Sequence, residues 1–129
     1  MSLTSESSFR PQQIFSEGQI RAKILVAEDP FIATFLRTIL QRHGHEVVTS
    51  EVNQASEFLR TGSLTADLLI TNNPTAFLPF AGTIRILYIA ASPDPILASQ
   101  FNMCRILRKP FRNEELLKTV AELASLEVP

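Results

Sequence analysis

The stretch KILVAEDP, Lys23 to Pro30, decides the fold because it joins a buried strand to the start of a helix. Its first five residues form a short run dominated by apolar side chains, which is typical of a strand buried on both faces. Asp29 has the side chain of a helix N-cap, and Pro30 suits the first helical position. The stretch therefore predicts a strand that passes directly into a helix.

The alternation of strand and helix continues to the end of the chain. The first helix places one apolar stripe at helical spacing and ends at Gly44, with the stripe made of Ile32, Phe35, Leu36, Ile39 and Leu40. Further strands are predicted over 46–49, 67–71, 84–90 and 105–107. Helices are predicted after the caps Asn53, Asp94 and Asn113. The helix after Asn53 has Ala55, Phe58 and Leu59 facing inward and ends at Gly62. The helix after Asp94 continues to about Phe101. The last helix turns Leu116, Leu117, Val120, Ala121, Leu123 and Ala124 inward.

This order predicts an α/β fold with a flavodoxin-like, doubly wound, five-stranded parallel sheet and helices on both faces. The third helix is expected to be shortened to a turn, because Pro79 would break a helix between the third and fourth strands. Phe77, Leu78 and Phe80 lie in that segment. They either cover the sheet face that a helix would have covered or form an exposed contact surface for a partner.

Composition limits the function classes. The 129 residues suit one domain, predicted at 23–129, after a flexible Ser-rich tail at 1–22. A net charge of −1 gives no bulk attraction to nucleic acid or to an anionic membrane. Since the sequence has neither a 20-residue apolar run nor an apolar signal core, we expect a cytoplasmic protein. The single cysteine, Cys104, is interpreted as a core residue, and His43 and His45 as solvated residues at a helix end.

Ligands of an open parallel sheet bind outside the carboxyl ends of its strands. The side chains that the predicted strands deliver there are Glu28 and Asp29 from the first, Asn72 from the third, Ala90 and Ala91 from the fourth and Lys109 from the fifth. Two carboxylates beside one cation at such an edge indicate a functional site, past or present.

Five ordered segments resemble response-regulator receiver domains of the CheY-like superfamily. They are ILVAED at 24–29, GHEVV at 44–48, DLLITN at 67–72, LYIA at 87–90 and LRKPF at 107–111. The resemblance implies a Mg²⁺-holding acidic pair, a phospho-accepting Asp, a Thr or Ser that binds the phosphoryl group, a Lys that contacts it and a switch aromatic. The matching positions here are Glu28 and Asp29 for the acidic pair, Asn72 for the acceptor, Ala90 for the Thr or Ser, Lys109 for the Lys and Ile106 for the aromatic.

Three of these positions depart from the pattern that the resemblance implies. An Asn72 amide is a poor nucleophile and cannot form an acyl phosphate. Ala90 has no hydroxyl for a phosphoryl oxygen, and Ile106 is not aromatic. With two carboxylates instead of three, Glu28 and Asp29 are expected to bind Mg²⁺ weakly at best, and no other cofactor is expected.

We therefore expect a non-enzymatic pseudo-receiver of two-component or phosphorelay signalling, independent of phosphorylation. Its expected partner is a protein such as a histidine kinase or an effector domain, with a homodimer possible, and it could be a piece of a larger signalling protein such as a hybrid kinase.

Two alternatives remain open at this stage. The chain could be a receiver that is still phosphorylated through another acceptor, but the nearest carboxylate along the strand, Asp67, would be about 16 Å from the site. Thr71 points to the opposite face of the sheet from Asn72. A flavin- or nucleotide-binding protein of the same fold needs a phosphate-binding loop after its first strand, and Glu28-Asp29-Pro30 would repel anions there.

Overall fold

A computed structural model describes residues 21–126 of the chain. The strands are β1 (Lys23–Ala27), β2 (Glu46–Ser50), β3 (Leu68–Thr71), β4 (Arg85–Ala90) and β5 (Met103–Arg108). The helices are α1 (Pro30–Arg42), α2 (Val52–Thr61), α3 (Pro95–Ala98) and α4 (Asn113–Ala124), with a 3-10 helix at Pro74–Phe80. The predicted tail at 1–22 lies almost wholly outside the described residues, as does the end of the predicted domain at 127–129, so the domain limits stay a prediction.

All five strands are parallel and lie in the order β2-β1-β3-β4-β5. This is the predicted flavodoxin-like sheet, and the fold class is confirmed. Helices α1 and α4 contribute to a hydrophobic cluster on one face, while α2 and the 3-10 helix contribute to the cluster on the other. β2 and β5 are the edge strands. No helix within residues 21–126 is long and apolar enough to cross a membrane.

The segment between β3 and β4 forms a 3-10 helix in place of a full α-helix. Pro79 lies inside this 3-10 helix, in agreement with the prediction that the proline would break a full α-helix here. Phe77 is fully buried, and Leu78 and Phe80 are half-buried against the same cluster. Of the two interpretations of these three side chains, covering the sheet face is the one that the structure supports.

The apolar stripe predicted for α1 is wrong at one position. Phe35 is 45% exposed, whereas Ala33 is buried beside Leu36 and Leu40. The inward face of α1 is therefore rotated slightly away from Phe35, because a small side chain at position 33 lets the helix approach the sheet. The large ring of Phe35 is left at the boundary with solvent.

Two helix caps are also wrong. α2 begins at Val52 after Glu51, and no side-chain hydrogen bond closes its first turn, so Asn53 is not its cap. Val52 packs against the core, and the helix begins at this residue.

In α4 the N-cap is Arg112 rather than the predicted Asn113, and the Arg112 backbone N–H donates to the Glu115 carboxylate at 2.8 Å. Helix α3 ends earlier than predicted, and β5 is longer than predicted.

His45 is not the solvated residue that the sequence suggested. It is buried, and its Nδ1 accepts a hydrogen bond from the Ala22 backbone N–H at 3.0 Å. Burial, together with the nearby positive charges of His43 and Arg21, lowers the pKa of His45. Cys104 is half-buried against the core, and burial raises its pKa to about 11, so the interpretation as a core thiol agrees with the structure.

Candidate functional site at the carboxyl edge of the sheet

The strand register brings the predicted site positions to one edge. Ala27 of β1 pairs with Thr71 of β3, so Glu28 and Asn72 follow at neighbouring strand ends. On the other side, Ala90 ends β4, and its carbonyl accepts the Lys109 backbone N–H at 2.9 Å. The cleft that the sequence predicted is therefore formed by the ends of β1, β3, β4 and β5.

Glu28 and Lys109 form an ion pair in this cleft. The Lys109 Nζ lies 3.5 Å from the Glu28 Oε2, the Glu28 side chain has no exposed surface and the Lys109 side chain is 28% exposed. The other carboxylate oxygen accepts the Asp29 backbone N–H at 3.3 Å. At 3.5 Å the pair is longer than a good hydrogen bond, and Oε2 has no hydrogen-bond partner. Burial raises the pKa of Glu28, and the opposing effect of Lys109 only partly offsets it.

Asp29 has a different role from Glu28. Its side chain lies at the surface, and Oδ1 accepts the backbone N–H groups of Phe31 and Ile32 at 3.1 and 3.2 Å. These bonds cap α1, as the sequence predicted. The two carboxylates therefore do not act as a free pair, because one is bound to a lysine and the other to a helix end.

This donor set does not fit Mg²⁺ well. Mg²⁺ needs several oxygen ligands in near-octahedral geometry. Of the two carboxylates, Glu28 is already paired with a cation and Asp29 is committed to the cap. Over the part of the chain that the structure describes, no group of three or more His, Cys, Asp or Glu side chains could hold a metal ion.

Asn72 is exposed at the end of β3. The residue before it, Thr71, is fully buried, and its hydroxyl accepts the Asn73 backbone N–H at 3.0 Å. Asp67 lies at the opposite end of β3, where its carboxylate accepts the Lys23 backbone N–H at 2.8 Å. Neither Thr71 nor Asp67 is thus placed to act in the cleft.

The position expected to carry a Thr or Ser hydroxyl on β4 is Ala90, and the position expected to carry an aromatic ring on β5 is Ile106. Ala90 is half-buried and Ala91 exposed. Ile106 lies on the edge strand β5 and is 42% exposed. Sequence patterns did not reveal that the hydroxyl of Tyr88, buried on β4, accepts the Asp94 backbone N–H at 3.1 Å and so fixes the start of α3.

Next to the cleft lies a group of aromatic side chains that the sequence analysis did not identify as a surface. Phe31 is 82% exposed and Phe35 is 45% exposed. The Phe35 ring packs against that of Phe111, with centroids 6.4 Å apart and planes inclined by 53°. We call these three residues the α1 aromatic patch. The four-residue spacing of Phe31 and Phe35 was the available signal, since it places both rings on one helix face.

A cavity of about 270 Å³ opens on the other flank of α1. Its lining comes from Glu28, Pro30, Ala33, Thr34, Arg37, Thr49, Ser50 and Glu51. Because the Glu28 side chain has no exposed surface, the cavity gives no access to its carboxylate.

Comparisons with known proteins place the chain by its fold. No protein-family model and no curated protein sequence matches it. Among solved structures, it is similar to the signal receiver domain of an HD domain-containing protein from Pseudomonas fluorescens Pf-5, with a TM-score of 0.68, 21% identity and coverage of 81% of this chain and 94% of that one.

Two further structures give the same result. The chemotaxis response regulator CheY4 of Vibrio cholerae matches with a TM-score of 0.65 and 24% identity, over 81% of this chain and 99% of that one. The response regulator PhyR from Brucella abortus matches with a TM-score of 0.66 and 18% identity, over 82% of this chain but only 49% of that one. The chain thus has the fold of response-regulator receiver domains, which occurs both alone and as part of longer proteins.

Proposed function

We propose that the protein is a receiver-like signalling module that acts by protein–protein contact and without phosphorylation or catalysis. The observation that carries the proposal is the state of the cleft. An amide stands at the acceptor position, Asn72, and the cation that would contact a phosphoryl group, Lys109, is paired with buried Glu28 at 3.5 Å. A cleft with these contacts is held together without a phosphoryl group. The fold shared with response regulators supports the signalling context.

The surface beside β5 is suited to a protein partner such as a histidine kinase or an effector domain. Helix α3 has only four residues and cannot cover the edge strand next to it. Ile96 on α3 is 75% exposed, and Ile106 on β5 is 42% exposed. A partner that covered this surface would remove both apolar side chains from water. The same surface on a second copy of the chain would give a homodimer.

Phosphorylation from a small-molecule donor tests the proposal directly. We expect the protein to gain no phosphoryl mass when incubated with acetyl phosphate and Mg²⁺, because an amide at position 72 cannot form an acyl phosphate. Intact-mass spectrometry is the measurement, and Asn72→Asp is the matched control, since it restores the carboxylate without altering size. An alkali-labile mass gain in the parent protein, located within residues 67–74, would overturn the proposal.

Magnesium binding gives a second test. We expect about 1 mM Mg²⁺ to leave the melting temperature unchanged, because a ligand stabilises the fold by RT ln(1 + [L]/Kd) and Kd should lie well above that concentration. The measurement is thermal unfolding with and without the salt, with Ca²⁺ and NaCl at matched ionic strength as controls. A clear rise with Mg²⁺ alone would mean that Glu28 and Asp29 form a working metal site.

A further inference from the structure

His45 binds the chain that enters β1 to the start of β2. The Ala22 backbone N–H donates to the His45 Nδ1 at 3.0 Å, and the Ala22 carbonyl accepts the Glu46 backbone N–H at 3.0 Å. The Arg21 Nε donates to the Gly44 carbonyl at 3.1 Å. Ala22 and His45 are both buried, with 5% and 8% of their surfaces exposed. We call the contact of Arg21 and Ala22 with Gly44 and His45 the β1 entry junction, and its buried side-chain bond depends on a titratable ring.

We propose that the β1 entry junction is a pH-sensitive switch in which neutral His45 holds Ala22 and protonation of His45 releases it. A backbone N–H can only donate, so Nδ1 accepts and the proton of the neutral imidazole lies on Nε2. The imidazolium carries a proton on both ring nitrogens and can no longer accept from Ala22. Protonation therefore sets two donors against each other at a buried position, where an unpaired donor is costly.

The turn between α1 and β2 fixes the backbone of His45. The His45 backbone N–H donates to the Leu40 carbonyl at 3.1 Å, and the Gly44 backbone N–H donates to the Gln41 carbonyl at 3.0 Å. Gly44 has a φ of 90°, a left-handed conformation that favours glycine. Because His45 is bound to the end of α1 and leads into β2, we expect the loss of the bond to loosen Arg21 and Ala22 and not the turn.

The charges around the junction oppose a positive charge on His45. His43, at the end of α1, and Arg21, before β1, both act against the imidazolium, and burial acts in the same direction. The adjacent carboxylate, Glu46 on β2, is paired with Lys23 of β1 at 3.8 Å. The pKa of His45 is therefore lowered from its ordinary value of 6.5. A histidine of this kind contributes stability that is present above pH 6.5 and is lost as pH falls through the folded value.

An NMR titration of the full chain observes both ends of the bond. Between about pH 8 and about pH 5, the His45 ring signals and the Ala22 amide signal should change with one common midpoint below 6.5. Across that midpoint, the protection of the Ala22 amide against hydrogen exchange, corrected for the intrinsic effect of pH, should fall about two- to tenfold, as for one lost hydrogen bond. At the upper end of the range, the ring nitrogen shifts should show an unprotonated Nδ1.

Three variants separate the switch from general effects of acid. His45→Asn supplies an amide oxygen that accepts at every pH, so the Ala22 transition should disappear. His45→Phe keeps a ring without an acceptor, so the Ala22 amide should be unprotected throughout. His43→Gln is the matched control, since it removes the other histidine of the chain. It should keep the transition and move its midpoint toward 6.5, because one opposing positive charge is gone.

The parent titration alone decides the question if His45→Phe does not fold. The proposal is overturned if the His45 ring titrates while the Ala22 amide keeps its shift and its protection. It is equally overturned if His45→Asn shows the same transition as the parent, or if Nδ1 carries the proton at the upper end of the range.

Discussion

Replacing Phe77 by Ala should lower the free energy of unfolding by about 3–5 kcal/mol, the range for deleting a buried aromatic ring. Phe77 is fully buried and packs in one cluster with Leu25, Leu69 and Ile86 on one face of the sheet. The 3-10 helix that carries it stands where a full crossover helix would cover the sheet. Leu78 and Phe80 of that segment are only half-buried against the cluster, whereas Phe77 is fully buried, so deleting its ring leaves a cavity in the core.

Denaturant unfolding of the parent and the variant measures this loss. Phe31→Ala is the matched control, because it deletes the same ring at a site that is 82% exposed. We expect the control to change stability by no more than about 0.5 kcal/mol. Equal effects of the two substitutions would mean that the 3-10 helix does not hold the sheet face closed.

The order of strands and helices could be predicted from the sequence because cap residues, prolines and apolar periodicity agree along the chain. The cap Asp29, the proline after it and the short buried runs each have a local cause, and each is found as predicted. Whether a side chain at the edge of a helix or strand is buried or exposed is not fixed by local sequence signals. Phe35 fits the apolar stripe by spacing, yet its exposure depends on how far α1 is rotated against the sheet. His45 is a polar residue, and its partner in the buried position is the backbone N–H of Ala22, which is distant in the sequence.

The strand ends that carry the candidate site could be predicted, but the contacts of its side chains could not. In the structure Glu28 follows β1, Asn72 follows β3 and Lys109 follows β5. The sequence predicted Asp29 as the cap of α1 but could not decide which of the two carboxylates pairs with Lys109, because the direction of each side chain depends on the turn between β1 and α1. Asp29 turns to its own helix, which leaves Glu28 alone with Lys109.

Lys109→Met should lower stability by about 1–2 kcal/mol at neutral pH, the scale of a lost charge-assisted bond. The substitution keeps most of the apolar stem and removes the cation that lies 3.5 Å from the Glu28 carboxylate. Glu28 would then be a buried charge without a counter-ion, which is costly. Denaturant melts of both proteins at neutral pH measure the difference. Lys118→Met, at an exposed position on α4, is the matched control and should change little.

The pH dependence of this loss identifies its cause. Burial already raises the pKa of Glu28 above the ordinary value of 4.5, and removing Lys109 should raise it further. A carboxyl group with a raised pKa in the folded protein contributes stability that is fully present below pH 4.5 and is lost as pH rises through the folded value. Both proteins lose this stability above pH 4.5, but the variant loses it over a wider pH range because its Glu28 pKa is higher. The gap between the proteins should therefore be full at neutral pH. It should close as pH falls through the variant's Glu28 pKa toward that of the parent, before pH 4.5 is reached.

Glu28→Gln completes the test, because it removes the titrating group while keeping the shape of the side chain. In that background, Lys109→Met should have a smaller effect at neutral pH, and the remaining effect should not vary as pH is lowered to 4.5. The double-mutant cycle isolates the pair from the packing of the lysine stem. If Lys109→Met costs the same in the parent and in the Glu28→Gln background, the lysine acts through its stem and the cleft is not held by charge. If it costs nothing in either background, Lys109 is a solvated side chain, and the cation would be free to meet an anion from outside.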